Sequence, residues 1–507
     1  MHWKCFFLKI SALTIAAVFS LIILSSIPAL AQDNMDEVLS GFDDEGQTSG
    51  VQDTKEVDGI REDFDESTGQ HTDVSDDVLS GFDEDRDVST VQEEKQDRYG
   101  LPEWCDLSGS IALEGAYNLI SHHAPPDEID LKGLSRFRTE IDLETDLEIS
   151  RVWQARISGK GYYDLAYEMR GRDNFSDEVL DENEVETELR EIYLQGSPST
   201  NLDLKVGRQI VPWGTSESLR VVDVLNPLDL REVGMVDIED LRLPVTMTKL
   251  DYYLNNRWNV TGIAIHEIHF NKEAPFGSDF YPAETSLPDE EIPGCSMENQ
   301  ELAVALTGRL TGWDISFHGA WIYDDNWYLE ASESGDVSRQ HSRIAMLGAT
   351  VQVVTGNWLF KTETAFLKGI QFSNISDEEK SRLDLLAGFE YSGFEETTIT
   401  WELANRHIFD YDNRLGNPPD EVREDEIQSV LRITRDFLHD TLHLTILAPA
   451  LDLFAQDGAF ERIQMEHDWN DNISITLGAI FYQGGDKSLF EAIKDNDRIF
   501  MEFKYSF

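Results

Sequence analysis

Three cysteines in 507 residues are too few for a disulfide scaffold, and 15 prolines with 34 glycines are too few for a collagen-like or low-complexity chain. Basic residues are scarce as well. There are 41 Lys and Arg against 98 Asp and Glu, a formal net charge of −57, and such a chain repels phosphate instead of displacing its counterions, so nucleic acid is not an expected partner. After residue 31 no run approaches the ~20 apolar residues of a spanning helix. A membrane crossing would have to be made by strands, the other structure that satisfies its backbone groups within lipid. Gly-x-Ser-x-Gly, His-Glu-x-x-His, the nucleotide-binding glycine patterns and cysteine clusters are all missing. No enzyme activity, cofactor or metal is therefore expected. His266, Glu267 and His269, or His439 and His443, are the nearest approach to a ligand set, but alternate residues of a strand point to opposite faces.

The first thirty-one residues carry Lys4 and Lys9, an apolar stretch from Ile10 to Leu24, and Ala29-Leu30-Ala31 before Gln32, the pattern of a cleaved secretory signal. Cys5 precedes the apolar core and is not placed for lipidation. Residues 32–100 form an acidic segment, with 23 acidic and 5 basic residues between 32 and 98. It has too little apolar surface to offset its ordering entropy and is expected to be a disordered periplasmic tether. Asp36 to Asp43 recurs as Asp76 to Asp83, a period of 40 residues. The repeat offers Val38, Leu39 and Phe42, then Val78, Leu79 and Phe82, as paired docking anchors for a periplasmic partner; a duplicated, solvated spacer is the plainer reading.

From about residue 101 the pattern becomes alternating segments of about ten residues, the signature of transmembrane strands. Between 136 and 149, Phe137, Thr139, Ile141, Leu143, Thr145, Leu147 and Ile149 fall on one face and seven charged residues on the other. Sixteen to eighteen such segments are separated by connections that alternate between short turns and long loops, at 168–185, 212–245, 270–300, 324–340, 368–381, 409–426 and 483–497. The expected fold is an all-β, antiparallel, up-and-down transmembrane barrel with both ends on the short-turn, periplasmic side. That topology puts Cys105 and Cys295 on opposite sides of the membrane, unpaired. Acidic loop residues such as Asp324-Asp325 and Asp420 to Glu426 would face outward, as divalent-cation holders or as plain solvated loops.

Pairing around the turn at 150–152 sets Arg156 opposite Asp146, Lys160 opposite Asp142 and Asp164 opposite Arg138, a charge ladder on the polar face. Avoidance of like charges explains it in the ordinary way; a field across a water-filled lumen is the functional reading. The long segment 212–245 carries Trp213, Arg220, Asn226, Asp229, Arg231, Glu239, Asp240 and Arg242 among many apolar residues. A connection of that length and composition is expected to fold inward as a constriction or plug, or outward as a cap.

Two resemblances follow from these residues. The final strand, with Ile499, Met501, Phe503, Tyr505 and Phe507 alternating with polar residues, resembles the C-terminal aromatic signature that outer-membrane proteins present to the barrel-assembly machinery. Gly207-Arg208-Gln209, Val211-Pro212-Trp213-Gly214, Val224-Leu225-Asn226-Pro227-Leu228-Asp229 and Leu243-Pro244-Val245 together resemble the core motif of the domain-of-unknown-function 1302 family of Gram-negative outer-membrane proteins. Members often occur beside RND-superfamily exporters and proteins resembling lipoprotein carriers. The resemblance thus implies a channel or receptor component of an envelope transport system, for lipids or other hydrophobic molecules, with an RND-type partner. A passive substrate-specific porin and a plugged structural or interaction barrel are the alternatives.

Overall fold

The computed structural model describes residues 102–120, 130–283, 285–294, 296–332 and 334–507. The signal segment, the acidic repeat with its anchors Val38, Leu39, Phe42, Val78, Leu79 and Phe82, and Cys295 lie outside the described residues. Eighteen strands run in order. The first nine are β1 (Cys105–Asn118), β2 (Gly133–Glu148), β3 (Trp153–Asp164), β4 (Val185–Ser199), β5 (Leu202–Gln209), β6 (Val245–Asn255), β7 (Trp258–Ile265), β8 (Glu301–Leu310) and β9 (Trp313–Ala331). The rest are β10 (Val337–Thr355), β11 (Trp358–Ile370), β12 (Lys380–Phe394), β13 (Thr397–Ile408), β14 (Asp425–Phe437), β15 (Leu442–Leu451), β16 (Gly458–Asn470), β17 (Ile473–Gln483) and β18 (Arg498–Ser506).

Each strand pairs antiparallel with its neighbours in sequence, and β1 also pairs with β18, so the sheet closes on itself without an edge. The seam sets Ile111 opposite Tyr505 and Leu113 opposite Phe503. It ends in a reciprocal backbone pair between Gly109 and Phe507, at 2.9 and 3.1 Å. Large apolar side chains cover the outside: Leu143, Leu302, Phe317, Trp321 and Leu477 are exposed, and Leu347 is 70% exposed. A soluble sandwich would turn this surface inward; here it forms the apolar band that hydrocarbon requires. At the short-turn end Trp358 packs against Phe360, Phe389 and Tyr391, and Phe389 against Trp401, an aromatic girdle at the height of one membrane interface.

The strand count is eighteen, because the brief link after β15 is a tight turn with Asp452 and Ala455 at φ of 67 and 55° and Gly458 at 126°. One expectation is corrected. Residues 324–340 are not a loop: β9 and β10 continue through them as a long hairpin, and Asp324 and Asp325 lie within β9. Beyond the membrane neither face of a ladder meets lipid, so the backbone pairing continues without the alternation by which strands are read. Two of the other long connections hold short helices, Ala166–Arg170 and Asp177–Asn183 between β3 and β4 and Ser488–Ile493 between β17 and β18.

Gly207, at the end of β5, has φ of 136°, and a Cβ there would lie 2.1 Å from the Ile192 carbonyl oxygen and 2.7 Å from Tyr193 Cα. Only glycine admits that approach of β4. Gly207→Val is expected to abolish the heat-modifiable, folded band in gel electrophoresis. Gly115→Ala, where nothing lies within 4 Å of the added carbon, should leave it intact.

Candidate functional site: a segment across the lumen

The connection between β5 and β6 is gathered at its neck by one buried side chain. Asn226 Oδ1 accepts from Val211 N at 2.9 Å, and its Nδ2 donates to Leu243 O at 2.9 Å and Gln209 O at 3.3 Å. Entry and exit of the segment are thereby held side by side, and Leu243 N adds a bond to Pro227 O at 2.8 Å. Fully buried amides of this kind are satisfied at every position or are costly.

Beyond the neck the chain leaves β5 and β6 for the far wall. Its apolar residues Val221, Val222 and Leu225, none more than 4% exposed, join one buried cluster with Met247, Ile263, Ile322, Ile344, Met346, Ala365 and Leu367 from the inner faces of β6 to β11. Glu363 of β11 accepts from Ser216 N at 2.8 Å, Thr215 Oγ1 at 2.9 Å and Val222 N at 3.3 Å, as well as from Thr215 N. Glu402 of β13 accepts from Ser216 Oγ at 2.7 Å. Glu217 reaches Lys361 of β11 at 2.9 Å and Arg432 of β14 at 3.3 Å. Further on, Glu232 pairs with Arg136 of β2 and lies 3.6 Å from Arg138. The Val233 carbonyl accepts from Tyr482 of β17 at 2.6 Å, and Asp237 pairs with Arg462 of β16 at 2.7 Å. A segment tethered between β5 and β6 that touches the luminal faces of β2, β11, β13, β14, β16 and β17 can only run through the lumen.

Residues 84–507 match the family model described as protein of unknown function DUF1302. The chain belongs to this family. In this DUF1302 protein the motif residues frame the crossing segment: Gly207 admits β4, Asn226 closes the neck, and Leu243 and Val245 are buried beneath it. No curated protein matches the sequence. Among solved structures, the DUF1302 chain is similar to OccAB1 of Acinetobacter baumannii, at 11% identity and a TM-score of 0.49 over 80% of this chain and 97% of the other. It is also similar to OpdK of Pseudomonas aeruginosa with vanillate, at 9% and 0.46 over 79% and 98%, and to OccK2 of the same organism with glucuronate, at 11% and 0.46 over 79% and 97%.

The eight residues singled out in the segment take different places. Arg220 donates to the Asp223 and Asn226 carbonyls at 2.8 and 2.7 Å, and Arg242 donates to the Asp223 carboxylate at 2.9 Å, so both knit the segment to itself. Trp213 packs edge-on against His318 of β9 at 5.0 Å. Asp229 and Arg231 pair at 2.6 Å, and Arg231 continues to Glu186 of β4 at 2.8 Å. Asp240 is exposed, and the side chain of Glu239 lies outside the described residues. The ladder has the register the sequence implies, Arg138 with Asp164, Asp142 with Lys160 and Asp146 with Arg156. Arg156 grips Asp146 through two bonds of 2.8 and 2.9 Å. Asp164, 3.8 Å from Arg138, accepts instead from the Phe137 and Ala166 amides at 2.9 and 3.0 Å.

The anchors themselves, Glu217, Glu232 and Asp237 on the segment and Glu363, Glu402, Arg136 and Arg462 on the wall, were not singled out. For the four on the wall the one signal is a charge at the luminal position of an alternating strand. Burial pushes the Glu232 carboxyl up, but Arg136, Arg138 and Arg498 outweigh it and hold the group at about 2, below its ordinary 4.5. Its contribution is therefore complete above pH 4.5 and lost as pH falls toward 2. The difference between wild type and Glu232→Gln in amide exchange of residues 231–237 should be the same at pH 7 and pH 6. Glu363→Ala strands buried amides at roughly 1–3 kcal/mol each and should speed exchange at Thr215, Ser216 and Val222 at least tenfold, with Glu363→Gln in between.

Proposed function

We propose that this protein is an outer-membrane channel in which residues 211–244 form the constriction, with the short turns and both chain ends on the periplasmic side. The observation that carries the reading is the route of the segment. It is fixed to opposite walls, so it divides the lumen instead of capping it, and it covers the apolar inner wall of β6 to β11. The luminal faces of β2 to β4, β16 and β18 carry charges, with the Arg156–Asp146 pair among partly exposed residues. A passage bounded on that side by charge suits small polar solutes, selected by width and local field. Lipid or another hydrophobic cargo, driven through an RND-type partner that docks on the acidic repeat, is the second reading and rests on the family resemblance and the tether.

Planar-bilayer recording of the mature protein beside a version lacking residues 215–242 tests the proposal. The intact protein should give small steady currents, and the deletion should raise the conductance several-fold. Silence from both forms would contradict a channel and leave a plugged interaction barrel. Deleting residues 33–98 separates the two cargo readings: flux that is unchanged fits a passive channel, and flux lost from an intact barrel fits a coupled system.

A further inference from the structure

Resting on the channel reading, we propose that Glu232 is an internal stand-in for substrate. It occupies a luminal site for carboxylate anions, built by Arg136 and Arg138 of β2 on the side of the Arg462–Asp237 pair, and an incoming solute carboxylate displaces it.

Four observations lead there. First, basic side chains are concentrated in one place in a chain that is otherwise strongly acidic: Arg136, Arg138 and Arg462 are each less than 9% exposed, where a guanidinium costs most to hold without an anion. Second, these cations are under-filled. The Nε–H groups of all three are buried without a hydrogen-bond partner among the described residues. Arg136 divides its terminal nitrogens between Glu114 at 2.8 Å and Glu232; Arg138 lies 3.6 Å from Glu232 and 3.8 Å from Asp164 with its guanidinium over the Tyr162 ring. A guanidinium presents a fork that matches a planar carboxylate through two parallel bonds, and Glu232 does not make that fork with any of them.

Third, the occupant comes from the segment and not from the wall that carries the arginines. Glu232 comes from the crossing segment and its side chain is 21% exposed, so solvent reaches it. Fourth, only the side chain has to move for an exchange. Val233 and Met235 pack in an apolar cluster with Ile480, Tyr482 and Phe490, which fixes the backbone beside Glu232, whereas the Glu232 side chain itself is held to the wall by its ion pairs alone. Exchange of one carboxylate for another conserves the charge at the arginines. Its cost is then confined to turning the Glu232 side chain out of the site. The device selects anions because a cation or neutral solute cannot replace Glu232.

Titration calorimetry of the full mature chain in detergent with benzoate, repeated with inorganic phosphate and with sodium chloride at matched ionic strength, tests the assignment. Glu232→Gln vacates the site without removing a cation, and benzoate affinity should rise at least tenfold. Arg136→Gln should lower it at least tenfold, and in bilayers Glu232→Gln should shift the reversal potential toward anions. Unchanged or reduced benzoate affinity in Glu232→Gln overturns the proposal even if the Arg136 variant fails to fold. A rise for phosphate alone overturns the carboxylate assignment. Binding that responds as expected in a protein that passes no current would leave the site standing and remove the channel reading; current without the Glu232 response would do the reverse.

Discussion

From β6 to β11 the barrel wall carries apolar side chains on both faces, and the organisation of the lumen follows from covering the inner one. Outward residues such as Leu302, Val304 and Leu347 have a membrane to face. Inward residues such as Ile263, Ile322, Ile344 and Met346 would line a water-filled pore, at ~1.5–3 kcal/mol for each large side chain left exposed. Val221, Val222 and Leu225 of the crossing segment cover them. The segment is thus part of the core of a protein that otherwise has its apolar surface on the outside.

Once that contact is made, polar groups decide where the chain goes. Glu363 and Glu402 receive the backbone amides that an irregular segment cannot pair with itself, so a non-helical, non-strand chain is satisfied inside the barrel. Asn226 does the same at the neck. The half of the segment with apolar cover is fixed by many small contacts. The other half adds ion pairs from Glu232 and Asp237 to a smaller apolar contact of Val233 and Met235 with Ile480, Tyr482 and Phe490.

Much of this was legible in the sequence, for reasons that can be named. The period-two alternation and the rhythm of short and long connections gave all eighteen strands close to their observed places, since one face of every spanning strand must suit lipid. The β2–β3 register followed from a single short turn and its opposite charges. The apolar residues of 212–245 pointed to a packed segment and left an inward and an outward course both open; the contacts of Val221, Val222 and Leu225 with the inner wall could not be read from them. What was missed has an equally physical cause. The extension of β9 and β10 lies where no alternation is imposed, and the anchoring carboxylates Glu363 and Glu402 look like any luminal charge until the segment arrives to use them. Arg220 and Arg242 stood out as charges in a loop, yet Arg220 braces the segment's own backbone and Arg242 its Asp223 carboxylate, a distinction that depends on distances within the segment.

The organisation of the lumen depends above all on residues 211–244 crossing it to the wall opposite their attachment. A Cβ built at Gly234 lies 3.0 Å from the Phe460 ring of β16, so the most direct measurement is a thiol cross-link in intact cells between Gly234→Cys and Phe460→Cys, with the native cysteines replaced by serine. A short bismaleimide should join the two positions in high yield and give a ring-closed species after denaturation. No cross-link in a barrel that is otherwise folded would contradict a segment that runs through the lumen.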